Sequence, residues 1–194
     1  SDDAICSVVR DVGGEVYRGS EDDVLGRFHE CAASRNWKRI VRVTADCPLL
    51  DPVILDEALD LATSLPENHF VTNSPYSDAD RTYPRGMDVE VFSKASLQEV
   101  FRGATTQFER EHVTPFMRAH PELYPLTLMT CAAPAPTPRL TVDERRDYDL
   151  IVRIAEHLYP SNPLFSLSDI LLFLRDNPAI SEINSGVRQK RPPL

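Results

Sequence analysis

Carboxylates carry most of the chemistry this chain can do, and they fall into four short segments. Asp46 stands in TADCPLLDP, Asp88 and Glu90 in YPRGMDVEVFS, and Asp143 in LTVDERRDYDL, while FEREHVTPF sets Arg110 and His112 between glutamates. Asp46 follows an apolar run of Ile40, Val41 and Val43 that reads as a buried strand. Asp51 and Pro52 fit the cap and first position of the helix after it. In open α/β sheets, ligands bind just beyond the carboxyl ends of strands, which is where Asp46 falls. A carboxylate there is suited to holding Mg²⁺ against substrate phosphates, because Mg²⁺ prefers hard oxygen ligands and keeps several waters. Asp46 fits equally well as the cap of a turn, where Asp is common, and Asp143 as the cap of the helix that follows it.

The elements that must position these groups alternate along the chain. Ile5, Val8, Val9 and Val12 recur at helical spacing and Gly13-Gly14 closes that helix. A short strand is expected over 15–18. Ser20 and Asp23 resemble a capping box ahead of a helix faced by Val24, Leu25, Phe28, Cys31 and Ala32. The Lys38 strand leads to a helix over 53–63, a strand over 69–73 and a polar loop over 74–85. Met87 to Phe92 alternates as a strand, with Asp88 and Glu90 on one face and Val89 and Val91 on the other. Ser93 caps a helix over 94–102, one continuous helix is expected over 109–120, and a strand over 126–130. The proline-rich stretch 132–138 reads as an exposed, stiff loop. A brief strand over 139–142, ending at Asp143, then precedes helices near 145–158 and 167–175, and the tail from Ser185 is basic and ends in prolines. Strands alternating with helices define an α/β class with a largely parallel sheet.

Bulk properties narrow the partners. The 194 residues fit one domain with a substantial core, and 21 basic against 30 acidic side chains give a net charge of −9. That balance argues against nucleic acid or an anionic membrane surface. Any polyphosphate must therefore be met by local positive charge or a metal. The four cysteines, Cys6, Cys31, Cys47 and Cys131, are scattered, so neither a zinc site nor a disulfide framework is expected, and the cytoplasm is the natural compartment. Cys47 reads as a small loop residue rather than a nucleophile, since no His is near it in sequence. No apolar run approaches the roughly 20 residues of a membrane span.

Taken together and in order, the motifs are specific. VYRGSEDDVLGRF, IVRVTADCPLLDP, TYPRGMDVEVFS, EREHVTPFMR, LTVDERRDYDLI, LYPSNPLFSLSDIL and EINSGVRQK resemble the cytidylyltransferases related to CMP-Kdo and CMP-sialic acid synthetases, nearest the branch of spore-coat polysaccharide biosynthesis. The resemblance runs from about Val16 to Lys190. It implies a three-layer α/β/α Rossmann-like fold of the nucleotide-diphospho-sugar transferase type over residues 1–194. It implies transfer from CTP to the hydroxyl of an acidic sugar, giving a CMP-sugar and pyrophosphate. By position, Asp46 and Asp143 match the two aspartates that hold catalytic Mg²⁺ in such synthetases. Arg85, Gly86, Asp88 and Glu90 match the acceptor side, although the family more usually has an acidic residue where Arg85 stands. Arg110 and His112 are candidate acceptor contacts, His112 either as a proton acceptor or as a structural histidine at a helix start. As related synthetases are often dimers, a homodimer is expected.

One departure shapes the expectation. Members of the family open with a strand and a loop of the type QARMGSTRLPGK that cradles the CTP phosphates, and no such segment, P-loop or GxGxxG stands in this sequence. The resemblance thus predicts a domain lacking its usual first strand and loop. Preorganised donors of that kind are each worth about 2.7–4 kcal/mol in the transition state, so this chain alone is expected to be nearly inactive. The competing reading is a non-catalytic sugar- or protein-binding module, or a fragment, of the same fold.

Overall fold

In a computed structural model of the chain, residues 2–131 and 138–188 are described. Most of the expected proline-rich loop (132–137) and the last part of the basic tail (189–194) lie outside them. In chain order the elements begin with α1 (Asp3–Asp11), α2 (Val24–Ala33), β1 (Arg39–Arg42), α3 (Pro52–Ser64) and β2 (Phe70–Thr72). A 3-10 turn at Asp78–Asp80 precedes β3 (Glu90–Ser93), α4 (Lys94–Gly103), α5 (Gln107–His112) and α6 (Pro115–Ala119). The chain continues through β4 (Leu126–Leu128), α7 (Arg145–Leu158), α8 (Leu167–Asp176) and α9 (Pro178–Ser181). Packing divides it into two compact units, one of residues 1–39 with 93–125, the other of residues 40–92 with 126–194.

The first unit is helical. Leu25 of α2, Leu97 and Val100 of α4 and Met117 of α6 are fully buried. Asp23, rather than Ser20, caps α2 by accepting from the Gly26 amide at 2.8 Å. Ser93 caps α4 as its sequence predicts, accepting from the Ser96 amide. The single helix expected over 109–120 is two. Pro115 lacks an amide hydrogen and disfavours helical geometry in the residue before it, and the chain turns at Val113 with φ +70°. The strand expected over 15–18 is irregular. Its side chains make ion pairs and hydrogen bonds instead: Tyr17 to Glu30 of α2 at 2.6 Å, Arg18 to Asp3 of α1 at 2.6 Å and Glu15 to Arg35 just beyond α2.

The second unit carries an open four-stranded sheet in the order β1-β3-β2-β4. β2 runs parallel to β4, with Val71 opposite Thr127, and antiparallel to β3, with Val71 opposite Val91. The sheet is therefore mixed where alternation predicts a largely parallel one. A parallel neighbour requires a crossover of the kind a helix supplies, and the link from β2 to β3 contains only the 3-10 turn. Val71, Val89 and Val91 are completely buried and share a core with Ile54, Ala58 and Ala62 of α3. Leu150 and Ile154 of α7 and Ile170, Phe173 and Leu174 of α8 complete it. The strand expected over 139–142 is reduced to one bridge, Arg139 beside Arg85.

Candidate functional site

Leaving β1, the chain makes a tight turn in which the Cys47 amide donates to the Thr44 carbonyl at 3.2 Å. Asp46 lies half-buried on this turn. Two further segments are stitched alongside within the same unit. The Val142 amide donates to the Asp46 carbonyl at 2.8 Å, which sets Asp143 one residue from the Asp46 backbone. The Leu140 amide donates to the Arg85 carbonyl at 2.8 Å. Gly86 permits that approach: its φ is +97°, and a Cβ there would meet the Leu140 carbonyl group at 2.5 Å.

Asp88 belongs to the same gathering, since its charge and that of Asp46 both act on the Cys47 thiol. Burial is the main cause that pushes Cys47 up to about 11, and the two carboxylates add to it. At neutral pH the thiol is protonated, which agrees with a packing role. Asp88 is oriented from two sides, by Arg81 Nη1 at 2.5 Å and by the Gly86 amide at 3.3 Å. Arg81 is itself fixed through Nη2 to Ser74 Oγ at 2.9 Å. Asn73, at the end of β2, pins the segment by donating to the Met87 carbonyl at 2.6 Å and accepting from the Val89 amide at 2.9 Å. Glu90 is buried and receives Arg42 Nη1 at 2.7 Å. Arg85 is held by Asp78.

Asp143 is exposed and receives Arg139 Nη2. Behind it is a network the sequence reading missed. Asp147 is fully buried and accepts from Arg139 Nε at 3.1 Å, from Asn184 Nδ2 at 2.8 Å and from the Asp143 and Glu144 amides at 3.1 Å each. Burial works to raise the Asp147 carboxyl, but these donors outweigh it and hold the group below its ordinary value. Glu144 and Asp147 form the capping box of α7, so Asp143 lies just outside that helix rather than capping it. The three-residue spacing of Glu144 and Asp147 was the available signal. Asn184 had none, being 37 residues away in sequence.

Arg110 and His112 lie in the first unit. Arg110 donates to the Asp23 carboxylate and to the Phe101 carbonyl at 3.1 Å, with its guanidinium 4.6 Å from the Phe101 ring centre. The hydrogen bond from Arg110 is the main cause that holds Asp23 below the usual carboxylate range. His112 is exposed and meets Phe108 edge-on at 4.6 Å.

Among the described residues no group of three or more His, Cys, Asp or Glu side chains is arranged to hold a metal. The donors at hand are a pair of carboxylates, Asp46 and Asp143, on segments joined by a backbone hydrogen bond. That donor set fits Mg²⁺, which commonly uses one or two carboxylates with substrate phosphates and water.

An open α/β sheet with carboxylates gathered on loops leaving its strands is the layout of a nucleotide-handling α/β protein. Residues 1–166 match the cytidylyltransferase family. The chain is 32% identical over 191 residues to an uncharacterised protein of Methanocaldococcus jannaschii, covering 97% of this chain and 74% of that one. It is 31% identical over 169 residues to the spore coat polysaccharide biosynthesis protein SpsF of Bacillus subtilis, covering 86% of this chain and 67% of SpsF. A cytidylyltransferase structure from Leptospira borgpetersenii superposes with a TM-score of 0.86 at 29% identity, covering 97% of this chain and 76% of that one. The chain belongs to the cytidylyltransferase family, whose members are nucleotidyltransferases.

Proposed function

We propose that this chain serves a Mg²⁺-dependent transfer of CMP from CTP to the hydroxyl of an acidic sugar, in polysaccharide biosynthesis. The observation that carries the reading is the hydrogen bond from the Val142 amide to the Asp46 carbonyl, which sets two carboxylate-bearing segments side by side. Asp46 and Asp143 would hold the cation. Bound there, Mg²⁺ supplies charge neutralisation on the phosphates undergoing displacement.

The reaction forms one P–O bond from the sugar hydroxyl to the α-phosphorus and breaks the bond to the leaving pyrophosphate. The hydroxyl proton is released. In this reading Asp88 accepts hydrogen bonds from sugar hydroxyls, and its orientation by Arg81 and the Gly86 amide supports that role. In this reading Arg85 pairs with a carboxylate of the acceptor in exchange for Asp78. The buried Glu90, committed to Arg42, acts in this reading by holding β1 and β3 in place beneath the site. Arg110 keeps the helices of its own unit in register, and His112 is exposed in that same unit. Working as a homodimer in the cytoplasm belongs to the same proposal. No described helix is long and apolar enough to cross a membrane.

Calorimetric titration of MgCTP into the chain tests the reading, with Asp46→Ala as control. Heat of binding that disappears in Asp46→Ala supports it. Equal heats from both proteins would overturn the role of Asp46, and none from either would overturn the reading and leave a non-catalytic module or fragment of the fold.

A further inference from the structure

Arg139 stands between two carboxylates of unequal environment. Its Nε donates to Asp147, which is fully buried, and its Nη2 to Asp143, whose side chain is 41% exposed. The guanidinium fork can serve both edges at once, which a point charge cannot. Asn184 closes the arrangement from the far end of the chain, donating to Asp147 Oδ1 at 2.8 Å and to the Arg139 carbonyl at 2.9 Å.

We propose that Asp147 is a positioning residue that shares Arg139 with Asp143, keeping the guanidinium from fully neutralising Asp143 and so leaving that carboxylate open to a divalent cation. This rests on the reading of Asp143 as a cation ligand given above. The buried carboxylate has the stronger claim on the guanidinium, because an uncompensated charge inside the protein costs far more than one at the surface. Arg139 is then a tethered counter-charge at Asp143, which a divalent ion must displace. Two substitutions shift the sharing in opposite directions. Asp147→Asn removes the buried charge and releases Arg139 to Asp143. Arg139→Lys keeps a cation for Asp147, but its single nitrogen cannot occupy both positions of the fork, so Asp143 is freed.

The experiment measures Mn²⁺ sequestration by electron paramagnetic resonance, with CTP present, on the full chain and both variants. Asp147→Asn should weaken Mn²⁺ binding and Arg139→Lys should tighten it, each by roughly three- to fivefold, the range a partly exposed ion pair contributes. A purely structural role for the network would weaken binding in both, and that result overturns the proposal while leaving the cation site standing. No Mn²⁺ sequestration by the unsubstituted chain overturns the cation site itself, and the proposal with it. Should Asp147→Asn fail to fold, Arg139→Lys decides alone, because it retains the buried ion pair: tighter binding supports the proposal, and unchanged or weaker binding overturns it.

Discussion

At the scale of single residues, the site depends on a close backbone approach that one glycine permits. Gly86 combines φ +97° with a Cβ position 2.5 Å from the Leu140 carbonyl group. Gly86→Ala therefore faces both a strained backbone and a clash with main chain that cannot rotate away. A loss of about 3 kcal/mol is expected, measured as a lower urea midpoint at unchanged slope. A midpoint equal to that of the unsubstituted chain would mean that the contact between the 85–86 and 140–141 backbones is not needed. Which side chains matter here was only half legible in the sequence. The candidates Asp46 and Asp143 are legible because acidic residues after apolar runs suggest strand ends, and Asp88 because alternation sets it on one face of an expected strand. Arg81, Asp147 and Asn184 are not, because their importance lies in partners: Arg81 acts on Asp88 across a polar loop, and Asn184 reaches Asp147 across 37 residues. Glu90 illustrates the converse. Alternation puts it on one face of a strand beside Asp88, and only packing reveals that Arg42 occupies it.

Elements begin and end here largely where local chemistry dictates. Asp51 and Pro52 start α3, with Asp51 Oδ1 accepting from the Val53 amide at 2.9 Å, and Ser166 with Asp169 forms a capping box on α8. Asp51 does more than its sequence announces, because Oδ2 also accepts from the Leu167 amide at 2.8 Å, so one carboxylate ties the starts of α3 and α8 together. Asp51→Ala should cost about 2–4 kcal/mol, a cap plus two amides left short of partners. Asp51→Asn, which keeps an acceptor for one of them, should cost less. Equal urea midpoints for the two variants would contradict the double role. Elements defined by pairing were misread, as was the helix over 109–120. The stretches 15–18 and 139–142 have strand-like composition, yet a strand exists only where a neighbour completes its ladder. Residues 15–18 form no strand, and 139–142 keep a single bridge.

Across the whole molecule, carboxylates held by donors set the response to acid. Asp23 and Asp147 both titrate below their ordinary values, Asp23 chiefly through its hydrogen bond from Arg110, and Asp147 through the donors that outweigh its burial. A carboxyl depressed in the folded state adds stability above its unfolded value of about 4, and that contribution is lost as pH falls through the folded value. Stability should therefore decline as pH is lowered below about 4, and Asp147→Asn should show a shallower decline. Denaturant midpoints measured from pH 6 down to pH 2.5 check this, and a midpoint that holds or rises on acidification would contradict it. The division into two units had little signature in composition, because two of its three crossing points, Arg39–Ile40 and Phe92–Ser93, fall inside β1 and β3, and only the third, Pro125–Leu126, lies where a loop meets β4. By itself the sequence determined the α/β class, several helix caps and the family, and it singled out the aspartates as candidates. All of these follow from periodicity, capping chemistry and motif order, which are local. Only the tertiary structure decided that β3 runs against β2, that 109–120 breaks at Val113, and that Arg139 is shared between Asp143 and a buried Asp147. Strand direction, burial and charge sharing are properties of residues distant in sequence, brought together when the core forms.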